Sequence, residues 1–396
     1  MKNLPFLNKI LTLLLIGLAI RAYPQQISYD KIDFQDNPEW SKVLRQAENT
    51  GKMIFLDGYT SWCIPCKKME KEVFTRLQVA NYFNQKFINV KYDMEAPAGV
   101  ELKRLYDVRA FPTYLFINAR GEVIHKILGA HTENDDFLLY AMTAATPGEN
   151  FADLQKRYRN GERNSDLMFK YMRALKLAGE MDAEQEIVNS YLVHIGKDHF
   201  LDHAYWEIIK HFMNDPLSKP FRILLENRPE IAAVNGEKDV NGLIYRILNN
   251  QVKLNAAGYT KDGINFDRDA ENKFIELLRK HDFPGRKELL ARSMLTQYRR
   301  KGEWASFIFL MDAVIDFGLF DELESPLTEM DYFTNQFVKV VLDEALLAKA
   351  LRWAEYTCEK AGPSSEKARF LRSKATILDK MGRKAEADLA RAEAGR

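Results

Sequence analysis

Cysteine is scarce. Three thiols in 396 residues cannot form the dense disulfide framework that staples a small exported scaffold. An excess of one charge is also missing. Lys and Arg number 57 against 56 Asp and Glu, a formal net charge of +1, so the strongly basic face of a nucleic-acid binder is not expected. No apolar run reaches the roughly 20 residues that a helix needs to cross a bilayer. The histidine spacing of a zinc hydrolase is absent too. His199 and His203 stand four apart and can share a helix face, but no further ligands accompany them. They are read as capping and surface residues, and no metal site is expected.

What is present is ample for large cores: 46% apolar and 12% aromatic residues. The length suggests two or three domains. The N-terminus reads as an export signal over residues 1–22. Lys2 and Lys9 supply positive charge, Ile10 to Ile20 form an apolar stretch, and Ala22 offers a small residue before a cut. The other reading is an uncleaved amphipathic anchor. The expected location is the periplasm, or export more generally. No cysteine lies near Ala22 to carry a lipid.

Cys63 and Cys66, in Trp62-Cys63-Ile64-Pro65-Cys66-Lys67, are the most informative pair. Thiols at this spacing can close a small disulfide ring at the start of a helix. There the helix dipole and unpaired N–H groups favour a thiolate on the first cysteine. The second lies one turn on, facing the same way. Half of a zinc site reads alike, but no second pair of Cys or His completes four ligands. On this reading Cys63 is exposed with a depressed pKa and Cys66 is buried. Around the pair, residues 53–59, 87–92, 113–117 and 123–127 read as strands, the last two at hairpin distance. An amphipathic helix follows the cysteines with Met69, Val73 and Phe74 inward, and another closes the region at about 133–145. The order describes a mixed sheet between helices.

This segment, from about Asp30 to Ala145, resembles the thioredoxin family. The Trp62–Lys67 run matches the redox motif. Asp57, six residues before Cys63, falls where the family keeps a buried acid. Phe111-Pro112-Thr113 matches the cis-proline loop, and Gly121 and Gly129-Ala130 match later glycines. The lead-in at Trp40–Leu44 and Glu48–Lys52 looks like that of bacterial members with extracytoplasmic roles. Two departures stand out: Asn89 occupies a position where the family often carries lysine, and Phe111 is bulkier than the usual aliphatic residue. The resemblance implies an α/β thioredoxin fold over 27–147. It implies thiol–disulfide exchange by Cys63 and Cys66 with Asp57 as the proton acceptor, and no cofactor beyond that redox disulfide. It implies substrate contacts at Trp62, Phe111, Pro112 and Thr113, with Trp62 as a lid. Its expected partners are protein disulfides and an upstream thiol–disulfide electron donor. Pro65 before the second cysteine resembles the reducing members. Disulfide isomerisation or oxidation, and a non-enzymatic partner-binding role, are the alternatives.

From about residue 150 strand-like runs vanish and helical periodicity takes over to the end, an all-α domain over 150–396. Helices are expected at 165–179, 182–196, 199–213, 220–227, 238–257, 268–281, 285–301, 303–317, 333–361, 365–381 and 383–394. The stretch from Leu346 to Ala394 resembles a tetratricopeptide-type repeat, which suggests a solenoid-like array that binds a protein partner. Cys358 is read as a buried, inert thiol.

Overall fold

A computed structural model of the chain describes residues 29–133, 136–258, 267–320, 326–362 and 366–395. The expected export signal lies outside them. The apolar runs are strands, joined by one more that is two residues long. β1 (Gln35–Asp36), β2 (Met53–Tyr59), β3 (Phe87–Asp93), β4 (Thr113–Ile117) and β5 (Val123–Leu128) form one sheet in the order β1-β3-β2-β4-β5. β3 runs parallel to both β1 and β2, whereas β4 is antiparallel to β2 and β5. Helices α1 (Trp40–Thr50), α2 (Ile64–Glu72), α3 (Leu77–Lys86), α4 (Pro97–Leu105) and α5 (Asp136–Ala145) connect and cover it.

Period-2 alternation sorts the strands onto two cores. Ile54 and Leu56, Val90 and Tyr92, and Leu115 and Ile117 join Val43 and Leu102 on one face. Phe55, Tyr114 and Phe116 join Met69, Phe74, Phe83 and Phe137 on the other. Asp57, two residues after Phe55, therefore points to the second, aromatic face, beneath α2. On the first face α4 comes close enough to β3 that a Cβ on Gly99 would lie 1.9 Å from the Asp93 carbonyl oxygen, so only glycine fits.

The chain divides into two compact units, the first ending at Ser190 and the second starting at Tyr191. The sequence suggests a boundary near 147–150, and α5 does end at Ala145. The first unit nevertheless continues through α6 (Phe151–Arg159) and α7 (Ser165–Ala178), which pack on β5. The Phe151 N–H donates to His125 Nδ1 at 3.1 Å, and Lys126 Nζ meets Glu180 at 2.8 Å. Burial pulls the His125 ring down to about 4, so at neutral pH it is an uncharged acceptor. α8 (Met181–Leu192) follows α7.

The second unit is helical throughout its described residues. Its helices are α9 (His203–Phe212), α10 (Lys219–Glu226), α11 (Arg228–Asn235), α12 (Glu237–Ala257), α13 (Arg268–Lys280), α14 (Arg286–Lys301), α15 (Trp304–Asp316), α16 (Pro326–Val340), α17 (Glu344–Lys360), α18 (Lys367–Lys380) and α19 (Lys384–Ala394). From α16 onward each helix packs on the next around Trp353, Phe337 and Ile377. The helix expected at 333–361 is two helices, because Asp343 leaves the helical conformation and caps α17 by accepting the Leu346 N–H. The one expected at 199–213 begins late for the same reason: Asp202 caps α9. α11 was not expected. Fully buried Arg292 on α14 donates to Glu288, to Glu329 on α16 and to Asn249 on α12, so its charge is paired in the core.

Candidate active site

β2 ends in a turn from which α2 starts, and the turn carries the cysteines. Cys63 is the N-cap of α2 in an extended conformation, and its Sγ accepts the Cys66 N–H at 3.1 Å. Pro65 sits in the first turn, where no backbone donor is needed. Cys63 and Cys66 are joined in a disulfide with their Cα atoms 5.3 Å apart. An exposed Cys63 beside a buried Cys66 was expected. In this oxidised state both are buried, Cys63 at 2% and Cys66 at 7% exposure. The bond ties each sulfur to the other and to the helix start. The exposed surface of the turn belongs instead to Trp62 and Ile64, at 62% and 78%.

The second wall of the site is the loop into β4. Its Phe111–Pro112 peptide bond is cis. The Pro112 carbonyl accepts the Gly129 N–H at 2.9 Å. The Phe111 ring meets Trp62 edge-on with centroids 6.1 Å apart, which brings the loop against the redox turn. Lys103 lies over the Phe111 ring, and Trp62 Nε1 donates to Glu95 at 3.0 Å. Thr113 is buried, and its hydroxyl donates to the Ala110 carbonyl. Its side chain holds the loop and presents nothing to the surface.

Asp57 is buried beneath the cysteines, and its Oδ1 has no hydrogen-bond partner among the described residues. It shares with Cys66 a small cavity of about 80 Å³, also lined by Tyr59, Lys67, Glu70 and Lys91. Burial pushes the Asp57 carboxyl up to about 7. The Glu70 charge pushes the same way and Lys91 opposes. A carboxyl that titrates near neutrality beside a thiol can take and return a proton under ordinary conditions. Nothing local in the sequence marks Lys91 as part of the site, whereas Glu70 lies four residues after Cys66, a spacing that puts both on one helix face.

Away from this site, His199 Nδ1 accepts the Gly196 N–H and its ring packs on Tyr205. Among the described residues no group of three His, Cys, Asp or Glu side chains is arranged to hold a metal ion, and no helix is long and apolar enough to cross a membrane. Cys358 is buried beside Leu327 and Phe370, and burial pushes its thiol up to about 11, which disfavours the nucleophilic thiolate.

Comparison with known proteins meets this same region. Residues 40–141 match a family of thioredoxin-like domains. Thioredoxin H4 of Arabidopsis thaliana is 36% identical over 98 residues, covering 25% of this chain and 77% of that protein. The thiol:disulfide interchange protein DsbD of Vibrio cholerae is 33% identical over 102 residues; the match covers 25% of this chain and only 16% of DsbD. Among solved structures, a candidate disulphide-isomerase from Bacteroides thetaiotaomicron is 40% identical. It covers 31% of this chain and 98% of its own, with a TM-score of 0.28.

Proposed function

The chain belongs to the thioredoxin family, and from that premise we propose that it is an exported thiol–disulfide oxidoreductase that reduces protein disulfides through the Cys63–Cys66 couple. The observation that carries this reading is the disulfide itself, closed at the first turn of α2 beside a buried carboxyl that shares a cavity with Cys66.

In the reduced form the start of α2 favours the Cys63 thiolate. It attacks one sulfur of a substrate disulfide, that bond breaks, and the other substrate sulfur leaves as a thiolate. A mixed disulfide now joins Cys63 to the substrate. Asp57 accepts the Cys66 proton, and the Cys66 thiolate attacks Cys63 Sγ. The second substrate sulfur leaves and both substrate thiolates take up protons. Two electrons have passed from the dithiol to the substrate, and an upstream thiol–disulfide donor restores them. The Pro112 carbonyl is engaged by Gly129, so a substrate strand pairs with the loop through Phe111 while Trp62 packs over it. We assign this chemistry to the segment around 27–147 and selectivity for a protein partner to the helices that follow. Export rests on the Lys2–Ala22 pattern.

Insulin reduction by the full chain with a dithiol donor tests the reading. The wild type is expected to accelerate it and Cys63→Ser to fall to the uncatalysed rate. Equal rates would reduce the thiols to bystanders. A reduction potential near about −270 mV places the protein with the reductants, and one near about −120 mV with the oxidants.

A further inference from the structure

The cis-proline loop leans on the turn after β5. Leu128, the last residue of β5, is level with Thr113, and the next N–H, from Gly129, donates to the Pro112 carbonyl at 2.9 Å. What seats that turn comes from α7 and α8, outside the segment to which the exchange chemistry is assigned. α7 closes on Gly179 in a left-handed conformation, φ 73°, and the Glu180 N–H donates back to the Leu175 carbonyl at 3.0 Å. α8 starts at the next residue, Met181, so two helix ends fix the corner. A Cβ on Gly179 would lie 2.3 Å from Leu128 Cδ2, which shows how closely the corner sits on that side chain. Glu180 pairs with Lys126, two residues before Leu128 and on the same face of β5. The charges continue into the segment that leads to Pro112. Asp107, itself left-handed at φ 47°, accepts from Arg109 at 2.9 Å. The Asp107 carboxylate first, then those of Glu180 and Asp182, hold the Arg109 proton more firmly than usual. Arg109, with Lys126 behind it, lowers the Asp107 carboxyl in turn. Glu180, Lys126, Asp107 and Arg109 thus alternate in sign from the corner to the loop into β4.

We propose that Gly179 and Glu180 are positioning residues for the substrate groove: the α7–α8 corner holds Leu128 and Lys126, these hold the Gly129 turn against Pro112, and the seated turn sets the affinity for protein disulfides. The proposal rests on the redox reading for its consequence, whereas the seating of the turn stands without it. A substrate protein must lay a strand along the Phe111–Pro112 loop, so it senses the loop's position. Displacement of the turn frees the Pro112 carbonyl from Gly129 and misplaces the backbone that the strand pairs with. The cysteines lie on the other wall, at the start of α2, and their bond chemistry does not depend on the corner. A small disulfide needs only to reach Cys63. The corner therefore acts on binding of large substrates and leaves the exchange step alone. A corner that merely stabilised β5 would act differently, slowing every substrate alike through the folded fraction.

The test uses the full chain and two variants. Gly179→Ala drives a methyl group onto Leu128, and Glu180→Lys turns the ion pair with Lys126 into a repulsion without straining the backbone. Amide hydrogen exchange of the oxidised protein, read by NMR, is expected to show the Gly129 N–H exchanging about tenfold faster in either variant, with the β2 and β3 amides unchanged. The KM for insulin should rise about two- to fivefold, the size a partly exposed ion pair supports, while kcat and the rate on 5,5′-dithiobis(2-nitrobenzoic acid) hold. Lys126→Glu combined with Glu180→Lys should restore both the Gly129 protection and the KM. Gly129 exchange and insulin KM at wild-type values in Glu180→Lys would overturn the proposal. So would a parallel loss of rate on insulin and on the small disulfide, which would leave the corner a stabiliser of the fold only. A wild type that reduces no insulin would overturn the redox reading instead, while the exchange of Gly129 still decides whether the corner seats the turn.

Discussion

Asp57 shows how far a site residue can work against its own fold. Its carboxyl titrates near about 7 in the folded chain, against an ordinary 3.8. Between those values the folded state binds more protons than the unfolded one, so stability falls as pH rises through the window and levels off above it. The charged form costs on the order of 4 kcal/mol at pH 8, less near pH 5, and nothing below about pH 4. Asp57→Asn is therefore expected to stabilise the protein against urea, by a few kcal/mol at pH 8 and by clearly less at pH 5. The same substitution should slow insulin reduction, because Asn accepts no proton from Cys66. A variant equally stable to the wild type at both pH values would show that Asp57 is not the buried, desolvated acid described. At this scale the sequence was informative where chemistry is local. Cys63, Cys66 and Pro65 declare themselves by spacing, and Asp57 and Pro112 through the resemblance. Glu70 and Lys91 did not, because their neighbourhood exists only once α2 lies over the sheet and β2 and β3 pair with Asp57 beside Lys91.

Among elements, those that bury a continuous apolar run were legible. β2, β3, β4 and β5 lie within a residue of expectation. β1 was not, since two exposed polar residues carry no periodic signal and are held by pairing with Val90 and Lys91. The break between α16 and α17 escaped because the apolar period runs through it, and one aspartate cap overrides the pattern. The role of α6 and α7 escaped for a related reason. An amphipathic helix shows that it has a partner but not which one. Leu154 and Leu175 are buried, His125 accepts from Phe151, and Lys126 pairs with Glu180, so these helices support β5. A fragment covering residues 29–147 is accordingly expected to be less stable to urea than one covering 29–190, by about 2–4 kcal/mol from lost apolar burial. Its β5 amides should exchange faster. Equal stability and exchange would place the domain boundary back at the 147–150 turn.

For the whole molecule, one unit carries the Cys63–Cys66 disulfide, the buried Asp57 carboxyl and the Trp62–Phe111 ring pair. The other carries helices whose described residues hold a single buried, alkaline-shifted thiol. On the proposed reading electron transfer belongs to the first unit, and the helical unit is proposed to recognise a partner, a role its sequence periodicity suggests only by architecture. The reaction predicts an order of events that a covalent intermediate records. The most direct measurement is mass spectrometry of the adduct formed when the reduced full chain meets insulin under non-reducing conditions. Cys66→Ala is expected to accumulate one mixed disulfide, on Cys63, and Cys63→Ala to accumulate none. An adduct absent from Cys66→Ala, or found on Cys66 in Cys63→Ala to the same extent, would contradict the assignment of Cys63 as nucleophile and Cys66 as resolving thiol.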